Sequence, residues 1–463
     1  MEFCSLGFIF VFLPLAIVGY AFTPGRYRNY SLFLINAVYY LMLGWRASAI
    51  TLAAALIDYA AALFIASACG RGRIAVFRLP VLIIAAGKNI AGAVLFAVIG
   101  ELSSTVAVAG FAVYALTATG YLIDVFRSEC AAERDPVKFL LFSTFFCKMY
   151  IGPLVRYGEI KPQLDGAGGK RRFSLEEAGE GLTLFLRGAA KKVLLADRLA
   201  EFQTSLAAVS ETAPSLLGSW LTVLVFALRI FFELSGFSDM AQGLGLIFGL
   251  RLPSNFYYPY QSLGVGDFLR RFNTTVSQFF SHYVYDALRP KSSSAKPDAD
   301  AQKTPRQGRV PEEILNTLLV CLLFGMWFGV KLNYIVWGVY LALFIVLEKF
   351  VIKKALDAMP RLFVRAYSFM AVLISFVIFS GENLRQSAEN IGLMFNFSRS
   401  ATSPELNYLI SGNWLLLTLA VLFSFSLFAL FGRILRKRAK PAADMISAIF
   451  AVALLVLTAA FMI

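Results

Sequence analysis

The sequence predicts an all-α membrane protein with many spans, and three observations support this prediction. Hydrophobic residues make up 58% of the 463 residues, charged residues make up only 16%, and the mean hydropathy is +0.68. A soluble protein of this length would carry a larger charged fraction. The apolar residues also form runs of the ~20 residues that a helix needs to cross a ~30 Å hydrocarbon core. We therefore expect about eleven transmembrane or re-entrant helices.

Apolar stretches follow one another along almost the whole chain. The first, residues 5–22, lacks the basic start and the small-residue cleavage pattern of a signal peptide, so it predicts a retained span. Several later stretches are short or broken, and some of these are expected to be re-entrant or interfacial. The later stretches lie near residues 30–44, 48–69, 79–99, 104–124, 138–153, 214–234, 239–250, 314–330, 332–350, 361–381, 413–432 and 442–462.

Basic residues lie mainly in the short loops between apolar stretches. A net charge of +14 would also suit nucleic acid binding, but the positive-inside rule explains loop cations without such a partner. If the N-terminus lies outside, the basic loops can all face the cytoplasm. Residues 381–412 would then be the largest external segment and could include an amphipathic helix on the outer surface.

Residues 289–311 are the strongest linker signal in the chain. They are polar, rich in Pro and Ser, and lack apolar periodicity, so they predict a flexible loop on the cytoplasmic side. Membrane-embedded stretches flank this loop on both sides. We therefore predict one membrane domain over residues 1–463.

Residues 175–203 predict an amphipathic helix, with apolar positions at helical spacing and charged residues on the opposite side. Two interpretations remain open: a snorkelling helix along the cytoplasmic surface, or a helix that faces the substrate. Its polar side carries Arg187, Lys191, Lys192, Asp197 and Arg198.

The five cysteines are scattered, with no CxxC pair and no histidine at ligand spacing. This pattern predicts neither a zinc site nor a disulfide framework, so we expect no metal and no bound cofactor.

The densest polar region within apolar sequence runs from residue 231 to residue 285. Because ionisable groups at membrane depth are costly, Glu233 and Asp239 indicate a functional site. Helix packing through Ser and Gly is the alternative interpretation of this region. The two carboxylates are six residues apart, about 600° of helical rotation, so they face different directions unless Gly236 breaks the helix.

Six sequence motifs together resemble the membrane-bound O-acyltransferase family, and in particular its bacterial branch that acylates alginate and other extracytoplasmic polymers. The resemblance covers almost the whole chain, and the order and spacing of the motifs agree with the family. The motifs are GYLIDVFR (120–127), YIGPLVRYGEI (150–160), FLRGAAKKVLLADRLA (185–200), FFELSGFSDMAQGLGLIFGLRLPSNFYYPY (231–260), DFLRRFNTTVSQFFSHYVY (267–285) and GMWFGVKLNYIVWGVY (325–340).

The resemblance implies helices around a central funnel in a bacterial-type cytoplasmic membrane. An acyl donor, as acyl-CoA or an acyl-carrier thioester, would enter from one side. A hydroxyl of a polysaccharide or cell-wall polymer would enter from the other. An acyl-carrier protein or a polymer-modification complex is the implied partner.

The family's two usual histidines are both replaced in this chain. The resemblance places them at Asn273 and Phe328, which leaves His282 as the only histidine. An asparagine amide can still polarise a carbonyl or a hydroxyl by hydrogen bonding. Phenylalanine cannot accept a proton, so Phe328 removes the expected general base.

Other residues at the family's motif positions are retained or offer substitutes for the base. Carboxylates with a raised pKa can act as bases, which makes Glu233, Asp239 and Asp267 alternatives. His282 lies nine residues after Asn273, about 900° of rotation, and so falls on the opposite face of a continuous helix. The residues expected to bind substrate are Arg270, Arg271, Lys191, Lys192, Arg156 and Trp327.

Two functions remain open at this stage. The chain is either a working acyltransferase with a displaced or carboxylate base, or an inactive relative that serves as a scaffold or regulator of a polymer-modification complex. A transporter is a third possibility, but it has no motif of its own beyond membrane-buried charge.

Overall fold

The computed structural model describes the chain except for residues 1, 71, 101–105, 151, 167–172, 286–309, 427–431, 433, 436 and 463. Within the described residues the regular secondary structure is helical, and a single antiparallel bridge pairs Phe256 with Phe272. Among these residues, six helices are long and apolar enough to cross a membrane, and three shorter apolar helices accompany them. The prediction of an all-α polytopic membrane protein is confirmed.

The chain divides into two compact units. Unit 1 comprises Met1–Thr204, Leu228–Asn255 and Asn413–Ile463, and unit 2 comprises Ser205–Ala227 and Phe256–Gly412. The helices that begin in unit 1 are α1 (Leu13–Ala21), α2 (Arg28–Leu43), α3 (Trp45–Ser67), α4 (Arg78–Gly100), α5 (Val106–Phe126), α6 (Pro136–Thr144), α7 (Tyr157–Asp165), α8 (Leu175–Ala190), α9 (Arg198–Thr212) and, after unit 2, α19 (Lys440–Ala460). Those that begin in unit 2 are α10 (Leu216–Ile247), α11 (Val265–Arg271), α12 (Thr274–Phe280), α13 (Val310–Met326), α14 (Leu332–Phe350), α15 (Lys353–Ala358), α16 (Arg361–Ser380), α17 (Leu384–Met394) and α18 (Pro404–Ser424).

One long helix, α10, covers two stretches that the sequence analysis separated. The prediction of two separate stretches, 214–234 and 239–250, was wrong, because Leu216–Ile247 is a single helix. Gly236 does not break this helix. It allows a close approach instead, since a Cβ at Gly236 would lie 2.8 Å from the carbonyl oxygen of Gly188 in α8.

A second glycine pair repeats this contact along the same two helices. A Cβ at Gly243 would lie 2.5 Å from the carbonyl oxygen of Gly181. Because residue 181 meets 243 and residue 188 meets 236, α8 and α10 run antiparallel with their backbones in contact. Small residues at such crossings give the close packing on which helix association in membranes depends.

Residues 138–153 do not form one span, so that part of the sequence prediction was also wrong. Helix α6 ends at Thr144 and is followed by a short turn of 3₁₀ helix, Phe146–Lys148. Residues 139–150 are all buried within unit 1, which explains why the stretch is so apolar without crossing as a helix. Lys148 is buried with them, and its Nζ donates to the carbonyl oxygen of Phe142 at 2.7 Å.

The amphipathic helix predicted over 175–203 is present in three parts. Helix α8 begins at the Ser174 cap, whose hydroxyl accepts from the backbone N–H of Glu177. It is followed by a π-helical segment, Lys191–Asp197, and then by α9. Within residues 381–412, α17 is a helix that begins after the Asn383 cap. The predicted loop 289–311 lies outside the described residues, apart from the first two residues of α13.

A buried carboxylate fixes the loop before α6 to helix α7. Glu133 is 7% exposed and accepts hydrogen bonds from Lys161 at 2.7 Å, from the backbone N–H of Asp135 at 2.9 Å, and from the Tyr157 hydroxyl. Burial raises the pKa of Glu133, but the hydrogen bonds outweigh burial and lower the pKa to about 2. Glu133 therefore remains ionised and tied to Lys161 across the ordinary pH range.

Glu133→Gln is expected to lower the midpoint of thermal unfolding in detergent, because charge-assisted hydrogen bonds are worth about 1.5–3 kcal/mol. The unfolded carboxyl has a pKa near ~4.3. The stabilising effect is therefore complete above that pH and is lost as the pH falls toward about 2. The difference between wild type and variant should shrink over that range. Glu159→Gln, an exposed carboxylate in α7, is the control. A difference that is independent of pH would contradict this account.

Candidate functional site

The turn between α11 and α12 holds Asn273 in an unusual backbone conformation. Asn273 has φ 54° and ψ 53°, in the left-handed region that asparagine tolerates better than most residues. Its carbonyl oxygen accepts from the backbone N–H groups of Val276 and Ser277, which starts α12. The bridge from Phe272 to Phe256 fixes the preceding residue. These contacts hold Asn273 at the junction of two short helices.

The side chain of Asn273 is fully buried at 0% exposure. Neither its Oδ1 nor its Nδ2 has a hydrogen-bond partner, and no other side chain in the described part of the protein has two such atoms. A buried polar group left unpaired costs about 1–3 kcal/mol, and such exceptions need an explanation in a native protein. The unpaired amide therefore makes Asn273 a candidate for contact with a reactant.

Phe328 lies just after α13, within an aromatic cluster of unit 2. Its ring centroid is 5.8 Å from that of Phe324, 5.7 Å from that of Trp337 and 5.2 Å from that of Phe379. Glycines let α13 and α14 approach here, since a Cβ at Gly325 would lie 2.2 Å from the carbonyl oxygen of Tyr334. These three ring partners carry no ionisable group, so the expected base position is occupied by packed apolar rings.

The same aromatic cluster connects the two positions that the resemblance assigns to histidine. Phe272, the residue before Asn273, lies 6.1 Å from Phe376, centroid to centroid. Phe376 lies 6.3 Å from Phe379, which contacts Phe328 at 5.2 Å. Asn273 and Phe328 therefore belong to one packed region of unit 2.

The charged residues of α11 form their own ion pairs beside Asn273. One oxygen of Asp267 accepts from Arg271 at 2.9 Å and from the backbone N–H of Leu263 at 3.1 Å. Arg270 approaches the other oxygen at 3.6 Å and remains 73% exposed. Asp267 is thus held by cations, whereas Arg270 presents its guanidinium outward, where an anionic group can reach it.

In unit 1, the paired lysines lie on the π-helical segment. Lys191 contacts Asp239 of α10 at 2.6 Å, and Lys192 pairs with Asp197. Glu233 is 3.9 Å from Arg229, one turn earlier on the same helix. Both lysines are thus paired with carboxylates of unit 1, and their role in substrate binding stays a prediction.

Arg156 of unit 1 is held by two carboxylates. It contacts Asp124 at 3.1 Å and Glu129 at 2.5 Å, which ties the residues before α7 to the end of α5. Trp327 is half-buried next to Phe328 in unit 2. His282 is also half-buried, and its ring lies 4.9 Å from that of Tyr283 in the π-helical turn Ser281–Tyr285.

The predicted site residues therefore form two groups. Unit 2 brings together Asn273, Phe328, Asp267, Arg270, Arg271 and Trp327. Unit 1 contains Lys191, Lys192, Asp239, Glu233 and Arg156.

One residue of this region, Glu348, was not predicted from the sequence. The carboxylate of Glu348, near the end of α14, accepts from the backbone N–H groups of Val265 at 2.6 Å and Gly266 at 3.2 Å. An ionisable residue at the end of an apolar span was the available signal. Its two backbone partners are 83 and 82 residues away in the chain, and no side-chain motif marks them.

Comparison with known proteins identifies the family. The family model described as MBOAT, membrane-bound O-acyltransferase family, matches residues 129–387. The chain belongs to the membrane-bound O-acyltransferase family. It is 32% identical over 416 residues to the "Probable alginate O-acetylase AlgI" of Pseudomonas fluorescens, covering 88% of this chain and 78% of that protein.

Two further relatives act on other polymers, according to their names. The "Peptidoglycan O-acetyltransferase" of Helicobacter pylori is 30% identical over 254 residues, which cover 54% of this chain and 45% of that protein. The "Teichoic acid D-alanyltransferase" of Bacillus subtilis is 25% identical over 265 residues, which cover 55% of this chain and 64% of that protein. The resemblance that the motifs indicated is confirmed.

Proposed function

We propose that this protein is a membrane O-acyltransferase that moves an acyl group, most simply acetyl, to hydroxyls of an extracytoplasmic polysaccharide or cell-wall polymer. The observation that carries the proposal is the buried amide of Asn273, which has no partner within the described protein and stands at a family motif position. The names of the relatives, which concern alginate, peptidoglycan and teichoic acid, support this class of acceptor.

The amide of Asn273 can act on both reactants. Its Nδ2 group can donate to the thioester carbonyl oxygen, where negative charge develops, and its Oδ1 can accept from the attacking hydroxyl. The new ester bond forms between the hydroxyl oxygen and the acyl carbon, the carbon–sulfur bond breaks, and the hydroxyl proton ends on the thiol. Because Phe328 cannot act as a general base, this reaction relies on positioning and electrostatic stabilisation, with Glu233, Asp239 and Asp267 as the alternative bases.

The donor in this proposal is acyl-CoA or an acyl-carrier thioester. Both carry phosphate, and Arg270 has an exposed guanidinium in the same short helix that leads to Asn273. The other proposed contacts with substrate are made by Arg271, Lys191, Lys192, Arg156 and Trp327. An acyl-carrier protein or polymer-modification complex is the proposed partner, and the cytoplasmic membrane, with the N-terminus outside, is the proposed location.

A second function is favoured by the surroundings of Phe328. Its ring packs against three aromatic rings, and none of these four side chains can abstract a proton. The second candidate is therefore an inactive relative that binds donor or polymer and serves as a scaffold or regulator of a polymer-modification complex.

Acyl transfer from labelled acetyl-CoA, or from a labelled carrier thioester, to polymer fragments distinguishes the two functions. The purified full chain in lipid nanodiscs would be compared with empty nanodiscs, using alginate, peptidoglycan and teichoic acid fragments as acceptors. Label that enters the polymer only with the protein present supports the enzyme. Donor binding without transfer supports the scaffold, and neither binding nor transfer contradicts both functions.

A further inference from the structure

Glu348 holds the beginning of α11 from outside that helix. Its Oε1 accepts from the N–H of Val265 at 2.6 Å, and its Oε2 accepts from the N–H of Gly266 at 3.2 Å. The first N–H groups of a helix have no partners within it, and its N-terminus attracts negative charge. A carboxylate that binds two of these groups makes charge-assisted hydrogen bonds, which are roughly twice as strong as neutral ones.

The glycine before α11 makes room for this carboxylate. Gly264 has φ +133°, and a Cβ there would lie 2.8 Å from Oε2 of Glu348. Two positions later, a Cβ at Gly266 would make only ordinary contacts, the nearest being Ile345 at 3.7 Å. Only the first of the two glycines is therefore required by the contact with Glu348.

Helix α11 is too short to determine its own position. It has seven residues, whereas isolated helices below about 12–15 residues are marginal in water. Glu348 binds the first turn of α11, and Asn273 lies two residues after its last residue, Arg271. Lys349, the next residue of α14, pairs with Glu313 of α13 at 2.5 Å, so α14 is itself braced on the helix that leads to Phe328.

We infer that Glu348 is a positioning residue for the acyl-transfer site: by holding the N-terminus of α11, it sets the position of Asn273 at the other end. This inference rests on the proposed function for its catalytic consequence. Its structural consequence, that release of the first turn of α11 also loosens the turn at Asn273, does not depend on activity.

Hydrogen exchange tests the structural consequence. In the full chain in nanodiscs, Glu348→Ala should raise amide exchange about 10-fold to 100-fold in peptides covering both 263–268 and 269–277. Glu348→Gln keeps one acceptor oxygen and should give an intermediate increase. Gly264→Ala should reproduce Glu348→Ala, while Gly266→Ala should leave exchange at the wild-type level. An increase confined to 263–268, or no increase at all, overturns the inference.

Steady-state kinetics test the catalytic consequence. Glu348→Ala should lower kcat about 10-fold to 100-fold and change KM for the donor less than twofold, with Glu348→Gln in between. Glu389→Gln removes an exposed carboxylate paired with Arg385 in α17 and should change neither constant. Faster exchange over 269–277 with an unchanged kcat overturns the positioning role. If the wild type transfers no acyl group, the proposed function fails, while exchange over 269–277 still decides whether Glu348 positions Asn273.

Discussion

Phe328→His is expected to raise the rate constant for acyl transfer about 10²–10⁴-fold, which is the usual contribution of a general base. The resemblance places a histidine at this position, and an unperturbed imidazole has a pKa suited to proton abstraction near neutral pH. Phe328 is only half-buried, so the surrounding rings do not fully enclose an imidazole at this position. The measurement is kcat for labelled acetyl transfer at pH 7.5, with donor and polymer saturating.

Two further variants separate the base from other effects at this position. Phe328→Leu removes the ring without adding a base and should not accelerate transfer. Phe397→His adds an imidazole at a site that is 78% exposed and should also leave the rate unchanged. If Phe328→His is no faster than Phe328→Leu, the missing base does not limit this protein. Activity that appears only in Phe328→His would establish that the wild type is the inactive relative.

Much of the helical framework could be predicted from runs of apolar residues. The stretch 332–350 coincides with α14, and 361–381 differs from α16 by one residue, because long apolar runs between polar loops leave few alternatives. The errors arose in two places where the length of an apolar run differs from the length of the helix. The protein surrounds residues 139–150, so this apolar run does not mark a span, and α10 continues through Gly236, whose small size allows α8 to approach closely.

The site was predicted in part, through its motifs. The motifs indicated Asn273 and Phe328, and the aromatic contacts from Phe272 to Phe328 bring both into one region of unit 2. The sequence could not show that the amide of Asn273 lacks partners, because that depends on every neighbouring chain segment. It also could not pair Lys191 with Asp239, since that contact follows from the antiparallel crossing of two helices.

Asn273→Gly is expected to lower the rate of acyl transfer about 10²–10³-fold, the usual effect of removing one hydrogen-bond donor to a developing oxyanion. Glycine adopts φ 54° without strain, so the turn between α11 and α12 should persist. Removing a buried amide that has no partner also removes a cost of about 1–3 kcal/mol, which offsets the packing lost with the side chain. The unfolding midpoint should therefore change little while transfer falls, in both the wild-type and the Phe328→His backgrounds.

Ser128→Gly is the matched control, because Ser128 is an exposed residue that also has a positive φ, 60°. It should leave the rate of transfer unchanged. Unchanged transfer in Asn273→Gly would remove Asn273 from the mechanism. A large fall in its unfolding midpoint would mean instead that the amide contributes to stability. Because the proposal assigns the amide to the reactants rather than to the fold, activity and stability must respond differently to its removal.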